Sequence, residues 1–461
     1  MYQLRIGNVG HVQRFMPAAH ILVRTRNAKL ASMTRPAHGQ ASLGRFAVYL
    51  GIAIAITLPA LALRLGGWRP DPLLDALLFG GAILAAGFML SWGAEAAEKR
   101  ISQGLIVAII ALITVLPEYA VDFYYAYVAG QNPGSNYVHY AAANMTGANR
   151  LLVGLAWPAL VLIHWFRTRE RQIDLAPVNA AEVTFLLIGS IWSFTILMRD
   201  EIGLLDTVVL VAVFGVYVWR VSHLPKAEED EDDEPGPAAA LVTLSPGRQW
   251  LVMGALTIVA AAVILVSAEP FAEAMVDSGR VLGFDEFLLI QWLAPLASEA
   301  PAVTIAILFV LSGRAANGLA TMISDKINQW TLLVGMLPLA MSLGAGSLSA
   351  LPLDARQHEE FFLTAAQSLF GIALLLRLRL NLWGALALAT LFLVQVGLAL
   401  RFLGDEAATI ATLTGLAWAY LALAIIVFVA NAKSFGHLLR VGISVRHPET
   451  HALPTPGLSD A

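Results

Sequence analysis

Twelve apolar segments follow one another along this chain, near residues 46–65, 73–96, 103–129, 139–163, 181–198, 202–221, 249–272, 284–311, 320–344, 359–376, 381–400 and 406–430. No other feature limits the fold so strongly. A helix needs about 20 mostly apolar residues to cross the hydrocarbon core of a bilayer, whereas a spanning strand needs about 9–11. Spanning strands also alternate in polarity, and these runs are continuous. Helices satisfy their own backbone hydrogen bonds in lipid. Composition agrees: 58% of the residues are hydrophobic and 13% are charged, against about 25% charged in soluble domains. The sequence therefore predicts an integral membrane protein built from helices.

The breaks carry turn residues or charges: Gly66-Gly67, Gln131-Asn132-Pro133-Gly134, Arg199-Asp200-Glu201, Ser312-Gly313-Arg314 and Gly404-Asp405. With both termini in the cytosol, 21 of the 29 lysines and arginines fall on the cytosolic side and 6 on the other. That is the bias expected of a plasma (inner) membrane protein in this orientation. The expected organisation is a basic cytosolic arm (1–45), an extra transmembrane helix (46–72), a first bundle (73–222), an acidic cytosolic linker (223–248), a second bundle (249–402), another extra helix (403–432) and a cytosolic tail (433–461). The linker holds AEEDEDDEPGP, a run of like charges that reads as solvated, with calcium sensing as the alternative. The basic arm lacks the apolar core of a cleavable signal, and Met16 or Met33 is an alternative start.

The third segment, ITVLPEYAVDFYYAYVAG, places Pro117-Glu118 and, one turn on, Asp122 in an apolar setting. A charge at the bilayer centre costs about 2.5–3.5 kcal/mol even on the insertion scale, so such acids call for a reason. The second half of the chain repeats the pattern: LASEAPAVTIAILFVLSG contains Glu299. The sequence LLVG begins at Leu151, 33 residues after Glu118, and again at Leu332, 33 residues after Glu299. Upstream, WGAEAAEKRISQGL leads into the first acid and FAEAMVDSGRVLGF into the second. Each half reads as five helices, with one extra helix at each end of the chain. An odd number per half brings the second copy in from the opposite face, giving an inverted-topology repeat. The expected fold class is an all-α polytopic membrane protein with two inverted five-helix repeats and about 12 transmembrane helices.

Over residues 73–402 the pattern resembles the membrane domain of sodium/calcium exchangers, within the calcium:cation antiporter superfamily. That family pairs a helix bearing G-T-S-L-P-E with one bearing G-S-N and a further Asn or Asp. Here the first motif reads Ile113-Thr114-Val115-Leu116-Pro117-Glu118 and the second Ala294-Pro295-Leu296-Ala297-Ser298-Glu299. Val115 stands where the family has Ser, Pro295 and Leu296 replace Thr and Ser, and Ser298 replaces the proline. The resemblance implies alternating-access antiport of a metal cation, calcium against sodium or protons. Transported cations are then substrates and no cofactor is needed.

Carboxylate oxygens suit hard cations, so Glu118 and Glu299 are expected to meet near the midplane as the core of an ion site. The remaining expected ligands are Asp122, Thr114, Asn144, Asn149, Ser298, Ser324, Asp325 and Asn328. Pro117, and Pro295 with Pro301 around Glu299, are expected to free backbone carbonyls beside it. Counting from the acids, Asn144 matches Asp325 and Gly147 matches Asn328; a slipped register pairs Asn149 with Asn328 instead. Asp122 either binds a proton, because burial disfavours a charged carboxylate, or bridges to Arg150. Arg150 and Lys326 place fixed positive charges on the helices that should line the site. Each stands in for a bound cation, or snorkels to an interface.

Sodium/proton antiport is the alternative, because Thr/Ser ligands are missing and two bases are present. A channel or a non-transporting scaffold is the reading from another class; inverted repeats with buried acids favour exchange. The chain has no cysteine, which excludes disulfides and thiol chemistry. Its ten histidines form no HExxH pattern and no phosphate loop or nucleophile motif is present, so an enzyme is not expected. The partners expected are the lipid bilayer and small inorganic cations, with no nucleic acid.

Overall fold

The computed structural model describes residues 42–98, 115–223, 237–283 and 286–443. Its helices are α1 Leu43–Gly66, α2 Pro72–Glu98, α3 Leu116–Gln131, α4 Tyr137–Leu151, α5 Trp157–Thr168, α6 Ala180–Leu197, α7 Leu204–Ser222, α8 Pro246–Leu282, α9 Glu286–Leu311, α10 Ala315–Asn328, α11 Val334–Ala345, α12 Ala355–Leu374, α13 Leu382–Arg401, α14 Glu406–Ala430 and α15 Ala432–Ile443. A π-turn, Leu152–Ala156, joins α4 to α5, and another, Gln329–Leu333, joins α10 to α11. Each of these pairs forms one rod, so every apolar segment of the sequence lies on a helix or a rod. Among the described residues nine spans are long and apolar enough to cross a membrane by that measure alone. The other three rods are the short α3, the α10–α11 rod with Asp325 and Lys326, and α12 with Arg356, Glu359 and Glu360.

Four short strands reveal the inversion. β1 (Gln172–Asp174), before α6, pairs antiparallel with β4 (Arg379–Asn381), after α12. β2 (Glu201–Ile202), after α6, pairs antiparallel with β3 (Leu351–Pro352), before α12. An offset of 179 residues carries Gln172 to Leu351 and Ile202 to Asn381, so it turns one ladder into the other. α6 spans the distance between the ladders, which therefore sit at opposite ends of the bundle. Equivalent pieces at opposite ends are what a two-fold axis in the membrane plane produces.

The leading helices of the two repeats, α2 and α8, pack on each other antiparallel. Phe271 lies against Gly80 at one end, and Gln249 Nε2 donates to the Ala96 carbonyl at 3.1 Å at the other. α3 packs on α11 so closely that a Cβ at Gly344 would lie 1.9 Å from the Tyr127 carbonyl oxygen. Only a glycine permits that approach, as at other close helix crossings in membranes. Outside the repeats, α1 is tied to α8 by Arg64–Glu269 and by Arg69–Glu273 at 2.9 Å. Beyond α14, α15 rests on the start of α6: Gly442 meets Ala180 and Thr184, and Leu438 is buried. Its exposed side carries Lys433, His437 and Arg440.

Candidate ion site

α3 begins beside the site. Pro117 occupies its first turn, a position where a missing amide hydrogen costs nothing. Glu118 follows in the same turn, at the end of the helix dipole that favours negative charge. α9 behaves differently: it runs unbroken from Glu286 to Leu311 through Pro295 and Pro301. The expected helix break around Glu299 is absent. Pro295 still has no amide hydrogen for the Gln291 carbonyl, and another helix fills that gap. A Cβ at Gly147 would lie 1.9 Å from the Gln291 oxygen, so α4 crosses α9 where the backbone is least occupied.

The two repeat acids meet. Glu118 is 2% exposed and Glu299 is 7% exposed, and their carboxyl groups face each other within hydrogen-bonding reach. Neither oxygen of Glu118 has a hydrogen-bond donor among the described residues. Glu299 accepts from Gln329 Nε2. Asp122 and Asp325, both buried, lie within electrostatic reach of this pair. Among the described residues no three acids or histidines converge at metal-ligating distance; the arrangement is one carboxyl pair with two flanking acids.

The neutral oxygens divide. Asn144 Nδ2 donates to Asp122 Oδ1 at 2.9 Å, and Asn144 Oδ1 has no donor among the described residues. The Tyr119 hydroxyl donates to Asn328 Oδ1 at 2.7 Å. Ser298 turns back on its own helix, toward the Ala294 and Pro295 carbonyls at 3.4 and 3.2 Å. Ser324 bonds the Tyr217 hydroxyl at 2.8 Å. Thr114 lies outside the described residues.

The two bases are fully buried and differ in role. Lys326 Nζ donates to Asn149 Oδ1 at 2.6 Å and sits 4.5 Å from the centre of the Trp330 ring. Asn149 is oriented for this because its Nδ2 donates to the Met145 carbonyl at 2.8 Å. Lys326 is also within electrostatic reach of Glu118. Arg150 instead pairs with the buried Glu360 of α12 and lies over Trp292. The expected alternatives for it, a bridge to Asp122 or snorkelling to an interface, are not what the fold uses.

The register question has a physical answer. Tyr125 contacts Tyr137, and Ala306 meets Gly318; these two contacts are related by 181 residues, like the acids. The π-turns and the left-handed caps at Arg169 and Gly346 are related by 177. The α4–α5 rod is one turn longer than α10–α11, so no single offset holds along both. Gln329, Tyr119 and Glu360 were not singled out by the sequence. Glu360 alone carried a signal, an acid pair inside an apolar segment.

Two inverted bundles that bring one buried acid each to a common centre make this protein a secondary transporter. The model of the sodium/calcium exchanger protein family matches residues 73–222 and 253–401. The chain belongs to that family, and it is a multi-pass membrane cation antiporter. It is similar to the crystal structure of the H+/Ca2+ exchanger CAX, with 37% identity and a TM-score of 0.81, over 87% of this chain and 98% of that one. The sodium-calcium exchanger NCX_Mj shares 16% identity, with a TM-score of 0.48, over 71% of this chain and 99% of that one. A search of curated proteins returned no match.

Proposed function

We propose that this protein exchanges calcium for protons by alternating access, with Glu118 and Glu299 as the shared site. The facing carboxyl pair holds either the metal cation or a proton, and Asp122, Asp325 and Asn144 add oxygens within reach. The single observation that carries proton rather than sodium coupling is Lys326. Its ammonium is a fixed monovalent cation, held by the Asn149 oxygen of the other repeat within reach of Glu118. An oxygen that a sodium ion would use is already occupied, and the counter-ion left is one that a carboxyl group itself can carry. The H+/Ca2+ exchanger among the similar structures supports the same reading.

Sodium/proton antiport is the second reading, favoured by Ser298, whose hydroxyl is spent on its own helix and so adds no ligand for calcium. Proteoliposomes with calcium, sodium and proton gradients imposed separately decide between them. Calcium uptake driven by a proton gradient in sodium-free buffer is expected. Proton-driven sodium flux without calcium flux assigns the second reading.

A further inference from the structure

The third helix of each repeat carries a buried acid near its start: Glu182 on α6 and Glu360 on α12. They are 178 residues apart, inside the range of offsets that relates the repeats elsewhere. The same offset carries Tyr217 of α7 to Gln395 of α13, and both of these are buried. The pseudo-two-fold axis thus sets one acid with one polar partner toward each face.

The two copies have diverged. At the β2–β3 face, Glu360 and Gln395 line a cavity of about 320 Å³ whose mouth carries Asn136, Asp354 and Glu406. Solvent in that cavity reaches Glu360, which Arg150 holds. At the β1–β4 face, Glu182 is buried and its Oε2 has no hydrogen-bond donor among the described residues; Asn179 Nδ2 is 3.5 Å from its Oε1. Arg220 is the charged group of α7 within electrostatic reach. Tyr217, one turn deeper, is in reach of both Glu182 and Asp325. Its hydroxyl bonds Ser324 Oγ at 2.8 Å, and Ser324 adjoins Asp325, which in turn is in reach of Glu299.

We propose that Glu182, Tyr217, Ser324 and Asp325 form a proton path from the β1–β4 face to the central carboxyl pair. The path rests on the proton-coupled reading above. The Glu182 carboxyl gives its proton to the Tyr217 oxygen as the phenol proton passes to Ser324 Oγ. The serine proton then passes to the Asp325 carboxylate. Each hydroxyl gains one proton and loses one, and the net change is a charge moved from Asp325 to Glu182. Hydroxyl groups both accept and donate, so the chain needs no other reactant. Gln395, at the matching place on the opposite side, has no hydroxyl, and there the cavity admits solvent instead.

The test uses the full-length protein in calcium-loaded or acid-loaded proteoliposomes, with Tyr217→Phe and Glu182→Gln. Phenylalanine keeps the ring that packs 5.8 Å from Phe185 and 6.0 Å from Phe214. Proton-driven uptake of radioactive calcium is expected to fall about tenfold or more in each variant. Calcium–calcium isotope exchange, which moves no protons, is expected to stay within about twofold of the parent. Undiminished proton-driven uptake in either variant overturns the path. Equal loss of both modes also overturns it, since that marks a structural role. If the parent itself shows calcium–calcium exchange but no proton-driven uptake, the coupling reading fails and the path falls with it.

Discussion

The ammonium of Lys326, on α10, donates to Asn149 Oδ1, on α4, at 2.6 Å, so a fixed charge from one repeat closes on an oxygen of the other. At an effective dielectric of about 20, a unit charge roughly 4 Å away is worth about 4 kcal/mol, before compensation. Removing it frees both the oxygen and the field. Lys326→Ala is expected to make transport depend on external sodium, or to change the charge moved per cycle. Reversal potentials measured with and without sodium check this. An unchanged dependence and an unchanged charge would leave Lys326 a structural residue.

The Arg150–Glu360 pair is buried on both sides, at 0% and 3% side-chain exposure. Breaking such a pair from one side costs about 3–5 kcal/mol, whereas replacing both partners with apolar groups is often neutral. Glu360→Ala is therefore expected to lower thermal stability in detergent by that amount. Arg150→Met combined with Glu360→Leu should recover most of it. Tryptophan fluorescence melts report both, since Arg150 lies 5.4 Å from the Trp292 ring centre. A double variant as unstable as the single one would show that the pair does more than neutralise itself.

Orientation is testable because the native chain has no cysteine. The lysine and arginine bias places the segment before α8 in the cytosol. A cysteine at Ser245, the residue preceding α8, should react with membrane-impermeant maleimide only after the membrane is opened. Labelling in intact cells would reverse the topology, and the β1–β4 face would become the external one.

The helices were legible because apolar runs and their charged breaks are local. The acid pair was legible because a repeat turns a tertiary contact into an equal spacing along the chain. Contacts between unlike positions left no such trace. Arg150 finds Glu360 on a helix two hundred residues on, and Glu299 accepts from Gln329 of the next rod. The single register expected for Asn144, Asn149 and Asn328 failed for a related reason. The first rod gained a turn, which the sequence shows only as an ambiguity in pairing. The prolines of α9 mislead because the gap left by Pro295 is filled by Gly147 of another helix. Whether a proline breaks a helix depends on what packs against it.

The central claim is that the facing carboxyl groups of Glu118 and Glu299 carry calcium and protons by turns. Its most direct test is simultaneous recording of calcium and pH inside proteoliposomes, with sodium absent. The parent should release protons in a fixed ratio to the calcium taken up, and both signals should vanish together in Glu118→Gln and in Glu299→Gln. Calcium uptake with no opposing proton movement, or undiminished coupled exchange in either variant, would contradict the account.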